Sequence, residues 1–388
     1  MQAVDQLPLH PKNKISVYSK YILPKLSWDL TISDITVTWV KQVLDPILKS
    51  YIRLWLEIPI SGTLDILSLP KEKLGIGLIS VSDRYMQCQV TLRNRLKNST
   101  NADIRKIHSQ TSTGPNMKID SCPSTKEMIK DLRLEKELNI DKLTTQSLVI
   151  KSIWSNTMKE MRYLWHKVFQ ILPKNIHSFC LRYLNNSLAT GTNLLKWGRK
   201  EESLCPACKS PQTLGHVIGG CKIHLNESRY NYRHDSILLC IVTSVSHLEK
   251  VKIYSDIPGY PSPCILTGNS CRPDILFVIC NKLVMIELSV GFETNITRNT
   301  ENKDTRYRSL LLDLGSNYDV EYLNLSMGAL GTFGHSCKKF KTIFAEIGLS
   351  KEEVSYLLQK IINITIRTTY YIFCKRNVAW ERPELMSW

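Results

Sequence analysis

Acidic residues are scarce in this 388-residue chain: 35 Asp and Glu stand against 51 Lys and Arg, a formal charge of +16. That imbalance does not fix a fold. It favours polyanionic partners, nucleic acid ahead of an acidic membrane surface. Long apolar runs are also missing. The longest, residues 238–242 and 275–280, fall far below the ~20 residues a membrane helix needs, so no membrane partner is expected. The opening Met1-Gln-Ala-Val-Asp-Gln has no charged region followed by an apolar one, so no secretory signal is expected. There is no internal repeat and no low-complexity tract. General disorder is excluded by the 43% hydrophobic content, which supplies real cores. The 12 cysteines are mostly scattered, with three in one tight cluster. This argues against a disulfide framework and for a reducing, intracellular compartment with one metal site.

The length itself predicts more than one domain. Residues 1–60 carry helical spacing, including Ile32, Ile35, Val40, Val43, Leu44 and Ile47, which Pro59 and Gly62 terminate. Residues 69–78 hold a proline and two glycines and read as a turn with flanking extended pieces. Helix resumes over 85–96. Residues 98–124 are polar and read as a linker. Ser124 is a candidate N-cap with Glu127 three residues on. Further helical stretches cover 154–172, 176–194 and 230–245. A Pro/Gly-rich segment (258–268), two strand-like runs, a helix near 299–314, a strand near 319–325 and a helix over 351–366 follow. The expectation is an α+β multidomain chain: a helical N-terminal half, a metal knuckle, and an α/β C-terminal unit.

The knuckle is Cys205-Pro-Ala-Cys208, followed by His216 and Cys221. C-x-x-C spacing lets two thiolates reach one ion, and His216 with Cys221 completes a Cys₃His tetrahedron, the closed geometry of structural zinc. Gly219 and Gly220 are expected to permit a tight backbone before the last ligand. His224 is an alternative ligand. Such an ion would fold a short segment unable to bury a core alone.

Downstream, Arg272-Pro-Asp274 leads into one strand-like run, and Leu283-Val-Met-Ile-Glu287-Leu-Ser-Val is the second. A two-residue loop at Asn281-Lys282 implies an antiparallel hairpin. With Cys280 opposite Leu283, Asp274 would face Ser289 and Leu276 would face Glu287. Asp274 and Glu287 would then be diagonal neighbours on one face, about 7–8 Å apart at the backbone, within joint reach of a divalent cation. Glu287 also interrupts an apolar run, where a charge is costly unless paired or bound to metal. Lys303, Arg306, Tyr307, Leu310, Leu311 and Leu314 form one helical stripe. Its apolar end should pack on the sheet and leave Lys303 near the carboxylates.

In order and spacing, these residues resemble the downstream region of non-LTR retrotransposon polyproteins that carry a restriction-like endonuclease of the PD-(D/E)xK class. That family places a Cys-Cys-His-Cys knuckle before a basic-Pro-Asp element, then a second acid, a lysine displaced onto the next helix, and a tyrosine. Arg272-Pro273-Asp274, Glu287, Lys303 and Tyr307 match, and Arg306 takes a position often basic there. Tyr230-Asn-Tyr-Arg-His-Asp235 is similar to the segment after the family's knuckle. Upstream, Tyr21-Ile-Leu-Pro-Lys25 with Trp28, and residues 69–78, are similar to the thumb and following region of such reverse transcriptases. The resemblance covers about three quarters of the chain.

It implies a thumb-like region at 1–110, a linker and helical region at 111–200, a zinc knuckle at 201–229, the nuclease core at 230–350 and a C-terminal helix and tail at 351–388. It also implies that Asp274 and Glu287 hold magnesium, aided by the Leu288 carbonyl, and that Lys303 and Tyr307 serve the reacting phosphate. Arg272, Arg306, Arg229 and Arg233 would contact nucleic acid. The partners would be target DNA and element RNA, with an upstream reverse transcriptase domain in a longer polyprotein, acting in the nucleus. The chain has no Asp-Asp pair, so no polymerase activity is expected. Ser289 replaces the lysine usual two residues after the second acid, so catalysis would rest on Lys303. Residues 326–330 (Ser-Met-Gly-Ala-Leu) lack the acid and arginine of related sequences. The alternative reading is therefore a catalytically inactive nucleic-acid-binding remnant. A structural zinc protein with partner-binding helices is a third.

Overall fold

The computed structural model describes residues 1–111, 119, 122–268 and 271–386. The chain divides into two compact units, Met1–Ser147 and Leu148–Trp388. The expected boundary at 110 falls inside the first unit, and those at 200, 229 and 350 inside the second.

The first unit is helical. Its main elements are α1 (Leu23–Ile32), α2 (Asp45–Leu56), α3 (Val81–Lys97) and α4 (Thr125–Asp141). A π-helical turn precedes each of the first two, at Tyr18–Ile22 and Val40–Leu44. Both lie just before a proline, Pro24 or Pro46. A proline ring crowds the carbonyl four residues back, and a widened turn relieves that contact. Ser80 caps α3 by accepting the Asp83 N–H at 3.0 Å, and Ser124 caps α4 by accepting that of Glu127 at 3.2 Å. Buried Asp45 accepts the Ser82 N–H (3.0 Å) and Oγ–H (2.6 Å), tying the start of α2 to α3.

Residues 69–78 close as a compact loop without strands. Gly75 lies so near the Leu69 backbone that a Cβ would fall 1.9 Å from its carbonyl oxygen, so only glycine fits. The expected linker 98–124 is helical over Ala102–Thr111, and its residues 112–118, 120 and 121 lie outside the described residues.

The second unit combines helices α5 (Leu148–Asn156), α6 (Lys159–Ile171), α7 (Lys174–Leu184) and α8 (Arg229–Val245) with a four-stranded sheet. The sheet holds β1 (Lys252–Ser255), β2 (Ile275–Ile279), β3 (Lys282–Gly291) and β4 (Asp319–Gly328) in that order. The first two pairings are antiparallel. The β3–β4 pairing is parallel, and helix α9 (Ile296–Gly315) supplies the crossover that a parallel pair needs. Helix α10 (Lys351–Cys374) packs along α8.

One sheet face buries Leu276, Leu283 and Met285 under Tyr307, Leu310 and Leu314 of α9. On the other, Ile275, Phe277, Val284, Ile286 and Leu288 are fully buried. Burial on both faces explains why β3 reads as a nearly unbroken apolar run.

The hairpin register differs from the expected one. Ile279 pairs with Lys282 and Ile275 with Ile286, so the turn is Cys280-Asn281, with Cys280 in the left-handed region at φ 53. This choice places Lys282 in the strand, where its ammonium meets Glu321 of β4 at 2.8 Å and also Glu346. The slip is two residues, so every side chain keeps its face. Asp274 now stands directly across from Glu287 rather than diagonal to it.

Candidate active site and metal knuckle

Along the α9-facing side of the sheet, chemistry changes abruptly. Leu283 and Met285 give way to Glu287 and Ser289 on β3. On β4, Asn324 and Ser326 are their register partners. The change coincides with the N-terminal half of α9, which brings Thr300, Lys303 and Asp304 over this end. Asn324 Nδ2 donates to the Thr300 carbonyl (2.9 Å) and to Asp304 Oδ1 (2.6 Å), and Ser289 and Ser326 share a 2.8 Å hydrogen bond. A polar patch thus continues directly from an apolar core.

Glu287 is 1% exposed. Its Oε2 accepts the Asp274 N–H at 3.1 Å and its Oε1 is paired with the Lys303 ammonium. Burial, reinforced by the charge of Asp274, raises the Glu287 pKa, while Lys303 opposes that rise. Asp274 behaves oppositely. Burial alone would favour its neutral form, but His234, Lys303 and the Leu288 N–H outweigh burial and lower its pKa. The Leu288 N–H reaches Asp274 Oδ2 at 2.7 Å, and His234 Nε2 lies 3.3 Å from the same oxygen. The other ring nitrogen of His234 is 3.1 Å from Asp235 Oδ1. Burial favours the neutral ring, yet the two carboxylates push its pKa up to about 10. The fold therefore gathers Asp274, Glu287 and Lys303 and adds His234, which carried no assigned role in the sequence reading. The pair is distant in sequence, and only the crossing of α8 near the start of β2 creates it.

The other predicted residues take different places. Tyr307 is fully buried beneath the site, and its hydroxyl donates to the Arg272 carbonyl at 2.8 Å beside Glu287. It supports the backbone leading to Asp274 and does not project outward. Arg272 is half exposed and pairs with Asp256, and the Arg306 guanidinium lies 5.4 Å from the Tyr307 ring centroid.

Arg229 and Arg233 require correction as nucleic-acid contacts, because both are buried. Arg229 bonds Glu227 and the carbonyls of Lys375 and Val378. Arg233 donates to the carbonyls of Ile218 (3.2 Å) and Val290 (3.1 Å) and to Thr369 Oγ1 (3.1 Å). A guanidinium with five rigid donors suits such carbonyl bracing, and sequence alone cannot distinguish it from a surface cation.

In the knuckle, one ligand atom each from Cys205, Cys208, His216 and Cys221 lies within 4.8 Å of every other. This donor set could hold a metal ion such as zinc. Gly219 and Gly220 end a π-helical turn, His216–Gly220, directly before Cys221, and neither takes the left-handed region. Lys209, at φ 61, makes a second tight turn after Cys208, donating its N–H to the Cys205 carbonyl at 2.9 Å. His224 stands outside the cluster, buried against the Tyr230 ring.

The knuckle does not stand apart from α8. The Cys221 N–H donates to Tyr230 Oη at 3.1 Å, and that hydroxyl lies 3.2 Å from the carbonyls of His216 and Val217.

Comparison with known protein families and with curated proteins finds no match to this chain. No helix among the described residues is long and apolar enough to cross a membrane.

Proposed function

We propose that this chain is the restriction-like endonuclease segment of a non-LTR retrotransposon polyprotein, nicking target DNA so that the break primes reverse transcription. The observation that carries the proposal is the meeting of Asp274, Glu287 and Lys303 at one end of β3, within a sheet-and-helix core. Hard oxygen donors suit magnesium. Asp274 Oδ1 has no protein partner among the described residues, and Glu287 already accepts a positive group in the form of Lys303. The Leu288 carbonyl, on the residue whose N–H reaches Asp274, would be a further oxygen donor. These residues fit a divalent cation, which when bound would polarise an attacking water and the scissile phosphate.

Lys303, held beside Glu287, would offset the charge growing on the phosphate. Exposed Arg272 and Arg306 flank the site and would contact the DNA backbone, supplying affinity rather than base readout. The knuckle, with four protein ligands and no open position, would hold structural zinc. Element RNA and an upstream polymerase domain are the further partners, and the nucleus is the place of action. Incubating the chain with supercoiled plasmid and magnesium tests the proposal. Wild type should nick, and Asp274→Ala and Lys303→Ala should not.

One observation favours the alternative of an inactive nucleic-acid-binding remnant: both oxygens of Glu287 are already engaged by protein donors. Under that reading the three proteins would nick equally little but bind DNA with a steep salt dependence.

A further inference from the structure

Asp274 is held unequally. Its Oδ2 takes both available donors, the Leu288 N–H and His234 Nε2, while Oδ1 is left open among the described residues. The Leu288 bond alone would let the carboxylate swivel about it. A second donor from a different element fixes the carboxylate plane, and α8 supplies that donor.

His234 is itself fixed. Asp235 Oδ1 faces its Nδ1, and Asp235 Oδ2 receives Arg382 Nη2 at 2.8 Å. The ring cannot turn without losing contacts at both nitrogens. The helix turn that carries it is braced as well. Neighbouring Arg233 bonds the Val290 carbonyl at the end of β3 and the Ile218 carbonyl in the knuckle. With both nitrogens committed to carboxylates, the ring is not placed to be a metal ligand.

We infer that His234 is a positioning residue, holding Oδ2 of Asp274 so that Oδ1 is presented to a divalent cation shared with Glu287. The inference rests on the nuclease reading above for the cation's purpose, but its geometry can be tested without cleavage. Partners that orient a metal-binding carboxylate commonly change metal affinity by about 10- to 100-fold when removed.

The test uses the full chain with manganese as a spectroscopic probe, titrated by electron paramagnetic resonance, alongside plasmid nicking in magnesium. Wild type should show a manganese site that Asp274→Ala abolishes. His234→Ala should weaken that site by about tenfold or more. His234→Gln, whose side-chain amide can replace the Nε2 donor, should restore most of the affinity, and zinc content should stay constant throughout. If the alanine variant folds poorly, Asp235→Asn gives the same comparison, because it loosens the ring without touching Asp274.

Unchanged affinity in His234→Ala, or in Asp235→Asn where that variant replaces it, overturns the inference. So does a glutamine variant as weak as alanine. A wild type that binds manganese through Asp274 but never nicks removes the nuclease reading, and the His234 inference is then decided by the affinity ratios alone. A wild type without an Asp274-dependent site overturns both.

Discussion

The knuckle and the carboxylate centre both gather charged or metal-binding side chains, but by opposite routes. The knuckle draws its four ligands from one short stretch, Cys205 to Cys221, so local turns bring them together. The carboxylate centre draws Asp274 and Glu287 from adjoining backbone of β2 and β3, Lys303 from crossover helix α9 and His234 from helix α8. A local site can be read from spacing. A dispersed one exists only once the sheet, α8 and α9 have packed. The dispersed site should therefore be more sensitive to distant substitutions, and the local one to loss of its own ligands.

The largest effect that would sharpen this contrast is on cleavage. If the nuclease reading holds, Asp274→Ala should lower plasmid nicking by at least about a hundredfold, and the metal content of the knuckle, measured by elemental analysis, should not change. Equal zinc loss would mean the two sites are not separable.

Next comes the knuckle. If the cluster holds zinc as proposed, Cys208→Ser should remove it and lower the melting temperature by about 10 °C, because the ion would cross-link Cys205, Cys208, His216 and Cys221 only in the folded chain. Since Tyr230 and Arg233 tie the knuckle to α8, this variant should also weaken the Asp274-dependent manganese site. Manganese affinity unchanged after zinc loss would break the link between the regions.

A smaller effect separates buried from exposed cations. Arg233→Met should destabilise the protein by about 1–3 kcal/mol in urea unfolding, since it strands buried carbonyls. Arg306→Ala should leave stability nearly unchanged and reduce the salt slope of DNA binding by about one.

The smallest concerns whether every buried acid marks a cation site. Glu293 is as buried as Glu287, yet neutral donors answer it: Tyr183 Oη at 2.6 Å and the Leu330 N–H at 3.0 Å. Burial raises its pKa against the effect of those donors. A raised carboxyl pKa means the folded state holds the proton more tightly than the unfolded chain. Stability from this group is then present at low pH and declines as pH rises through the folded pKa. Glu293→Gln should flatten that decline, so its melting temperature should gain on wild type as pH rises above the ordinary glutamate range. A parallel pH dependence in the two proteins would show that Glu293 does not titrate in this way.

Legibility in the sequence followed the same division. The helix of 230–245 emerged as Arg229–Val245 because apolar periodicity is a local signal. The hairpin was legible as to faces but not register. Loops at Cys280-Asn281 and Asn281-Lys282 have equal length, and the choice between them involves Lys282 finding Glu321 and Glu346, which lie far along the chain. In the sequence Arg229 and Arg233 look like surface cations, because nothing local reveals the backbone carbonyls that absorb them. His234 stood in a segment already noted, but its partner Asp274 lies across a fold-dependent gap.

By itself the sequence determined the metal-binding donor set, the strand faces and the helix stripe leading to Lys303, because each depends on spacings shorter than one secondary-structure element. Only the tertiary structure decided which cations are buried struts, where the hairpin turns and which imidazole meets Asp274. Those outcomes depend on burial and on contacts between elements, and neither exists before the layers close on one another.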